Sequence, residues 1–337
     1  MRASQFMKLL RKADIFNGYF ARMVIVGVYG PQWGHTALAE GFGKLYALRS
    51  LPGGSSLCVY DMPADISDSI VTIDKLTPKM EVKTLGEHSC HITLLAFQAV
   101  LSDYTSGTLS LFELDKDGMP SSDAQVLKFE GNGPDPVRQT SPHIHSSWVS
   151  PDGKHLVVVD LGCDRLYRFD ISEGKLVPES KLIYELPSGS GPRHCAFNQD
   201  GSRLYVATEL SDELLTYSWP QMQLMHRSLV NDSRPRGGGH IVISPDGRFL
   251  YVSSRLVKDG IAVFSLDNDG IPQKSGYHTV GAHPRHFAVS SDRKKLICAA
   301  RDGHILEFFS IDPSNGALEK YKEQEITQPV FVIIKYE

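Results

Sequence analysis

Ionisable residues of unlike type stand at matching places in a repeating pattern. Four aspartates, Asp152, Asp200, Asp246 and Asp292, lie 48, 46 and 46 residues apart. Seven positions before them the chain carries His145, Arg193, Gly239 and Arg285; six before, Ser146, His194, His240 and His286; nine after, Leu161, Glu209, Arg255 and Arg301. A residue that serves the fold recurs in every copy. A ligand lacks the symmetry of the repeat and needs different residues from different copies. On that criterion His145, Arg193, Glu209, Arg255 and Arg285 are the candidate site. Three arginines against one glutamate leave a net positive pocket, and the planar arginine fork suits carboxylate or phosphate. The expected partner is therefore an anionic small molecule. The recurring His194, His240 and His286 fit supports bonded to a neighbouring copy's backbone and stand as secondary substrate-binding candidates. Arg193 and Glu209 also suit a structural ion pair, and Arg301, followed by Asp302-Gly303, suits a solvated turn.

Each aspartate is followed by a short apolar run, Leu156-Val157-Val158-Val159, Leu204-Tyr205-Val206-Ala207, Leu250-Tyr251-Val252-Ser253 and Leu296-Ile297-Cys298-Ala299. A second run follows in each copy, for example Leu166-Tyr167-Arg168-Phe169. Short β-branched and aromatic runs bounded by Asp/Gly/Ser turns read as strands. A strand-built unit of about 46 residues has the size of a propeller blade. The 337 residues hold about seven such units. Leu45-Tyr46-Ala47 and Asp103-Tyr104-Thr105-Ser106-Gly107 mark two weaker copies. Pro329-Val330-Phe331-Val332-Ile333-Ile334-Lys335 falls 45 residues after Pro284 and opens a copy that the C-terminus cuts short. Met23-Val24-Ile25-Val26-Gly27-Val28-Tyr29 supplies the missing strand. The expectation is an all-β, seven-bladed propeller of four-stranded antiparallel blades, closed by pairing N- and C-terminal strands. Residues 23–337 form the single domain and residues 1–22 an N-terminal appendage.

At 41% hydrophobic residues, with 15 Phe, 13 Tyr and 3 Trp, the chain can fill the layers between blades. A net charge of −4 suggests neither a nucleic-acid surface nor a polyanionic tail. No apolar run reaches a membrane span, and the basic, interrupted stretch before Met23 lacks the apolar core of a secretory signal. Five scattered cysteines without Cys-x-x-Cys favour reduced thiols and a cytoplasmic protein. His143 and His145 share a strand face, but no third ligand has supporting spacing, so no metal is expected. Gly237-Gly238-Gly239 has no following helix and is not a phosphate loop; no Gly-x-Ser-x-Gly elbow occurs. No cofactor is expected, and monomer and dimer are both compatible with the sequence.

Pro142-His143-Ile144-His145, Gly191-Pro192-Arg193-His194, Thr208-Glu209-Leu210, Ser253-Ser254-Arg255 and Pro284-Arg285-His286-Phe287 resemble, in this order, the signature segments of the seven-bladed lactonase family. That family includes propeller-type 6-phosphogluconolactonases and the fungal carboxy-cis,cis-muconate cyclase. The resemblance runs from about Leu85 to Leu318. It implies an active site at one mouth of the channel, with His145, Arg193, Glu209 and Arg255 as catalytic residues. Thr208, Ser254 and Ala300 stand where the family usually has asparagine, which bears on substrate identity. The implied activity is hydrolysis of an anionic sugar lactone such as 6-phosphogluconolactone. In it, His145 or Glu209 activates water and Arg193 or Arg255 faces the oxyanion, while Arg285 helps to grip the anion. The alternatives are a carboxymuconate cycloisomerase using the same residues and a non-catalytic propeller that binds proteins. The absence of Trp-Asp dipeptides speaks against the common scaffold type of propeller.

Overall fold

The computed structural model describes residues 23–28, 34–51, 53–63, 69–233 and 236–335; the expected appendage, residues 1–22, lies outside them. Seven sheets follow one another around a central channel. Six are four-stranded and antiparallel, and their innermost strands are Gly34–Gly41, Ser89–Leu94, Ile144–Val149, Pro192–Phe197, Gly238–Ile243 and Pro284–Val289. We number these blades 1 to 6. The seventh is the split blade. Its inner strand, Pro329–Lys335, pairs antiparallel with Met23–Val28, so that Met23 stands opposite Lys335.

The seventh blade departs from the expected four antiparallel strands. Among the described residues it has three, and the outermost, Ser69–Thr72, runs parallel to Met23–Val28. Ser69–Thr72 belongs to the long connection between the third and fourth strands of blade 1, Gly54–Asp61 and Met80–Lys83. A neighbouring blade thus covers the edge that the chain ends leave bare, which suits the general hazard of an open edge strand.

Alternation along the strands builds the core. In blade 3, Leu156 and Val158 join a cluster with Val100, Leu109 and Leu111 of blade 2. Val157 and Val159 join one with Leu204, Val206 and Leu215 of blade 4. The two-residue period sends successive side chains to opposite faces, so each blade is buried on both sides. Ile25 and Val71 close the last gap against Leu45 and Cys58 of blade 1. The tyrosine of the Leu-Tyr motif adds a polar tie. Tyr46, Tyr205 and Tyr251 donate their hydroxyls to the carbonyls of Gly118, Gly270 and Gly316 in the next blade's turn. The reference aspartates are turn residues: Asp152 Oδ1 accepts from Ser150 Oγ at 2.6 Å and from the Lys154 amide at 3.1 Å. All five cysteines are free thiols. No helix among the described residues is long and apolar enough to cross a membrane.

Candidate active site

Two local devices carry the site residues to one mouth of the channel. The first is a β-bulge at the head of the inner strands. Register shifts between Ser89 and His91, Ile144 and Ser146, Pro192 and His194, and Pro284 and His286. The bulged residues are Cys90, His145, Arg193 and Arg285. A bulge breaks the alternation and re-aims a side chain. Arg193 therefore lines the mouth, while His194, its direct neighbour, lines the channel beneath. The second device is a backbone hydrogen bond just past the second strand of blades 2 to 6. The amides of Tyr104, Leu161, Glu209, Arg255 and Arg301 donate to the carbonyls of His88, His143, Gly191, Gly237 and His283, at 2.7–3.2 Å. These residues begin the loops that surround the same opening.

The resulting cavity holds about 320 Å³ and is lined by Arg138, Arg193, Arg255, Arg285 and Arg301, with Glu209 as the sole carboxylate in its wall among the described residues. Glu209 Oε2 lies 2.9 Å from Arg255 Nη2 and 3.1 Å from Arg193 Nε, the latter contact without hydrogen-bond alignment. Glu209 Oε1 accepts from Arg138 Nη2 at 2.6 Å. Burial pushes the Glu209 carboxyl upward, but Arg255, Arg193, His145 and Arg138 together outweigh it and hold the group far below the usual carboxylate range. It is a fixed anion at neutral pH and a poor proton acceptor.

The arginines are not equivalent. Arg255 is fully engaged. It donates from Nε to Gly237 O at 3.0 Å and from Nη2 to Gly238 O at 3.1 Å and to Glu209, with Nη1 3.3 Å from His283 Nε2. Arg301 is forked onto Asp302 at 2.6 and 3.0 Å. It lines the cavity, so the solvated-turn reading describes only part of its setting. Arg285 has no hydrogen bond or ion pair with the described residues, and burial followed by Arg255 pushes it down to about 10. Arg193, nearly inaccessible, is pulled down by burial and then by Arg255. An incoming anion would relieve both.

His145 is buried and flanked edge-on by Tyr104 and His194. Its Nδ1 is sealed off without a partner, which leaves Nε2 as the nitrogen open to the cavity. Burial and Arg193 hold its pKa well below 6.5, so the ring is neutral at pH 7. Cys90 is a protonated thiol, pushed up to about 12 by burial, 3.2 Å from the His145 carbonyl.

Five of the sequence candidates, His145, Arg193, Glu209, Arg255 and Arg285, meet in this cavity. His194, His240 and His286 do not: they line the channel one layer deeper, because the bulge places them a step beyond the mouth. His143 stacks on Tyr104 with ring centroids 4.4 Å apart and donates from Nδ1 to the Tyr104 carbonyl. Sequence reasoning missed Arg138, Tyr104 and His283. Tyr104 directly follows the second strand of its blade, as Glu209 and Arg255 do, and His283 stands nine positions before Asp292 as His143 does before Asp152, so both were within reach. Arg138 lies in the connection between blades 2 and 3, outside the repeat. There Asp135 Oδ1 accepts from the Val137 and Arg138 amides, and Gln139 Nε2 pins the turn to Leu161 O and Asp164 Oδ1.

The family described as Lactonase, 7-bladed beta-propeller, matches residues 51–334. The chain is 32% identical over 253 residues to the 6-phosphogluconolactonase of Formosa agariphila, covering 71% of each chain. It is 30% identical over 290 residues to that of Bacillus subtilis, covering 81% of this chain and 78% of the relative. A Bacteroides fragilis crystal structure, provisionally named a 6-phosphogluconolactonase, superposes with a TM-score of 0.84 at 27% identity, covering 93% of this chain and 97% of that one. A periplasmic gluconolactonase of Pseudomonas aeruginosa shares the fold with a TM-score of 0.77 at 22% identity, over 94% and 89% of the two chains.

Proposed function

We propose, for a chain that belongs to the seven-bladed β-propeller lactonase family, hydrolysis of an anionic sugar lactone of the 6-phosphogluconolactone class. The observation that carries the substrate class is a mouth lined by five arginines against one carboxylate, with Arg285 unpaired among the described residues. A cavity of about 320 Å³ is within the range of small-molecule sites.

Water attacks the lactone carbonyl carbon, and Nε2 of neutral His145 takes one of its protons. The carbonyl electrons move onto oxygen, and the resulting oxyanion faces Arg193. Collapse re-forms the carbonyl and breaks the bond to the ring oxygen, which leaves as a hydroxyl with the proton returned by His145. Glu209 is a positioning residue: its carboxylate spans Arg138, Arg193 and Arg255. Arg285, with Arg301 nearby in the wall, holds the phosphate.

The test is lactone hydrolysis above the spontaneous rate, with 6-phosphogluconolactone, unphosphorylated gluconolactone and a carboxymuconate compared. Preference for the phosphorylated lactone supports the proposal. Turnover of the carboxymuconate alone, or no acceleration of any lactone, rejects it. Arg193→Ala is expected to lower kcat by about 10²–10³. Arg285→Ala is expected to raise KM for the phosphorylated lactone with kcat largely kept, and to change the unphosphorylated reaction little. Equal effects of Arg285→Ala on both substrates would remove it from the phosphate.

The depressed pKa of His145 sets a pH profile. The active form of a base is the unprotonated one, so kcat/KM should stay level down through the ordinary imidazole value of about 6.5 and fall only at lower pH. A bound anion offsets the Arg193 field, so the limb in kcat should lie higher than that in kcat/KM. A kcat/KM limb at or above about 6.5 would exclude His145 as the base.

A further inference from the structure

Beneath the arginine-lined mouth the inner strands enclose a second cavity of about 730 Å³. Its upper wall carries His91, His194, His240, His286 and Phe331. The hydrogen bonds of these rings decide which nitrogen bears the proton. A guanidinium only donates, and Arg193 Nη1 lies 3.3 Å from His194 Nε2, so the His194 proton is on Nδ1. That Nδ1 is 2.9 Å from His240 Nδ1, which must accept, and the His240 proton is on Nε2. The Ser147 amide donates to His91 Nδ1 at 3.4 Å, and the Val332 amide to His286 Nδ1 at 3.3 Å. His91 and His286 thus also carry their protons on Nε2. None of these three Nε2–H groups has an acceptor among the described residues, although His240 and His286 are only 5% and 7% exposed. Burial, with Arg193 close by, keeps the rings neutral; His91 is lowered to about 3. They are donors rather than cations. Further along the same strands the wall turns mainly apolar, with Val149, Phe197, Ile243 and Val289, beside Glu40 in its ion pair with Lys335.

We infer that this channel is a second ligand site, taking a small carboxylate with an apolar or aromatic body. The carboxylate accepts from the imidazole Nε2–H groups, and the body lies against Trp148, Phe197 and Ile243. These donors open onto the channel, so whatever fills it must supply their acceptors, and an oxyanion supplies several acceptor positions at once. The mainly apolar lower wall favours this ligand over a polyhydroxylated sugar acid, most of whose hydroxyls it would leave unpaired. The site is separate from the lactone pocket, with the Arg193–His194–His240 donor chain running between them.

Calorimetric titration and imidazole ¹⁵N resonances of the full-length protein test this, with benzoate and hexanoate as probes and acetate and orthophosphate as controls. Benzoate and hexanoate should saturate one site and shift the Nε2–H resonances, and they should bind equally well to Arg285→Ala. Affinity should fall at least tenfold in His240→Phe. It should fall as far in Ile243→Trp, which fills the apolar wall and leaves every imidazole in place, so the test stands if His240→Phe does not fold. Loss of benzoate binding in Arg285→Ala would put the carboxylate in the mouth and overturn the inference. So would acetate and orthophosphate matching benzoate, or the absence of saturable binding by either probe, which would leave the channel to water.

Discussion

Glu209→Ala is expected to destabilise the protein by about 3–5 kcal/mol, the usual cost of removing one partner from a buried ionic cluster. The Glu209 side chain is 10% exposed and meets Arg138, Arg193 and Arg255. Without it the guanidiniums lose their anion, and Arg193 has little access to water in exchange. The sign of the pH dependence follows from the depressed folded pKa. The stabilising contribution is present above the unfolded carboxyl value of about 4.3 and is lost progressively as pH falls below it. Urea denaturation of wild type and variant should therefore differ fully at pH 7, and the gap should narrow in acid. Orthophosphate should raise the variant's midpoint more than the wild type's, by binding the folded state alone. A variant as stable as wild type at pH 7 would mean that the arginines are solvated and the cluster is not a buried one.

Ending the chain after Thr327 is expected to abolish soluble folding. The loss removes the innermost strand of the seventh blade, six residue pairs with Met23–Val28 and the buried side chains of Val330 and Val332. Val332 belongs to the cluster that joins blade 6 to the split blade, and Ile297, Ala299 and Leu306 lose their cover with it. The ring then opens along an edge with unpaired backbone groups, which invites aggregation. Sedimentation and melting curves of the truncated chain decide the matter. A soluble protein with an unchanged melting midpoint would show that Pro329–Lys335 does not close the ring.

Most of the architecture could be read because each blade repeats the same turn chemistry. Ser150-Pro151-Asp152-Gly153 and Ser244-Pro245-Asp246-Gly247 fold into the same aspartate-capped turn, and the runs after them become second strands. Ser69–Thr72 was beyond reach because its partner is a strand 46 residues earlier in another blade, and nothing local in four residues announces a parallel pairing. At the site, the mouth residues were legible where the copies differ in charge. Tyr104 escaped because it breaks the pattern with a phenol rather than an ion. Arg138 escaped because its position depends on a connector fixed by Asp135 and Gln139, which has no counterpart in other copies. His194, His240 and His286 line the channel and not the mouth, and His286 accepts from the Val332 amide of the neighbouring blade, as expected of a support. Reading them correctly requires the bulge, and a two-residue period predicts that adjacent side chains diverge.

That bulge has an implication for how such a molecule changes its chemistry. It parts two duties by a single residue: Cys90, Arg193 and Arg285 face the opening, while His91, His194 and His286, each next in sequence, face the bore; His145 and His240 join the two rings from the other blades. The first series behaves like sockets set round a hub, each accepting a different tool without any demand on the stack of blades outside. One socket is shut. At Gly239 a Cβ would come within 2.3 Å of Ser253 Oγ, so that sector of the hub is furnished by Arg255 leaning in from its own loop. New substrates can be reached by exchanging single side chains around the rim, and the shut sector fixes the side from which every such set of tools is lopsided.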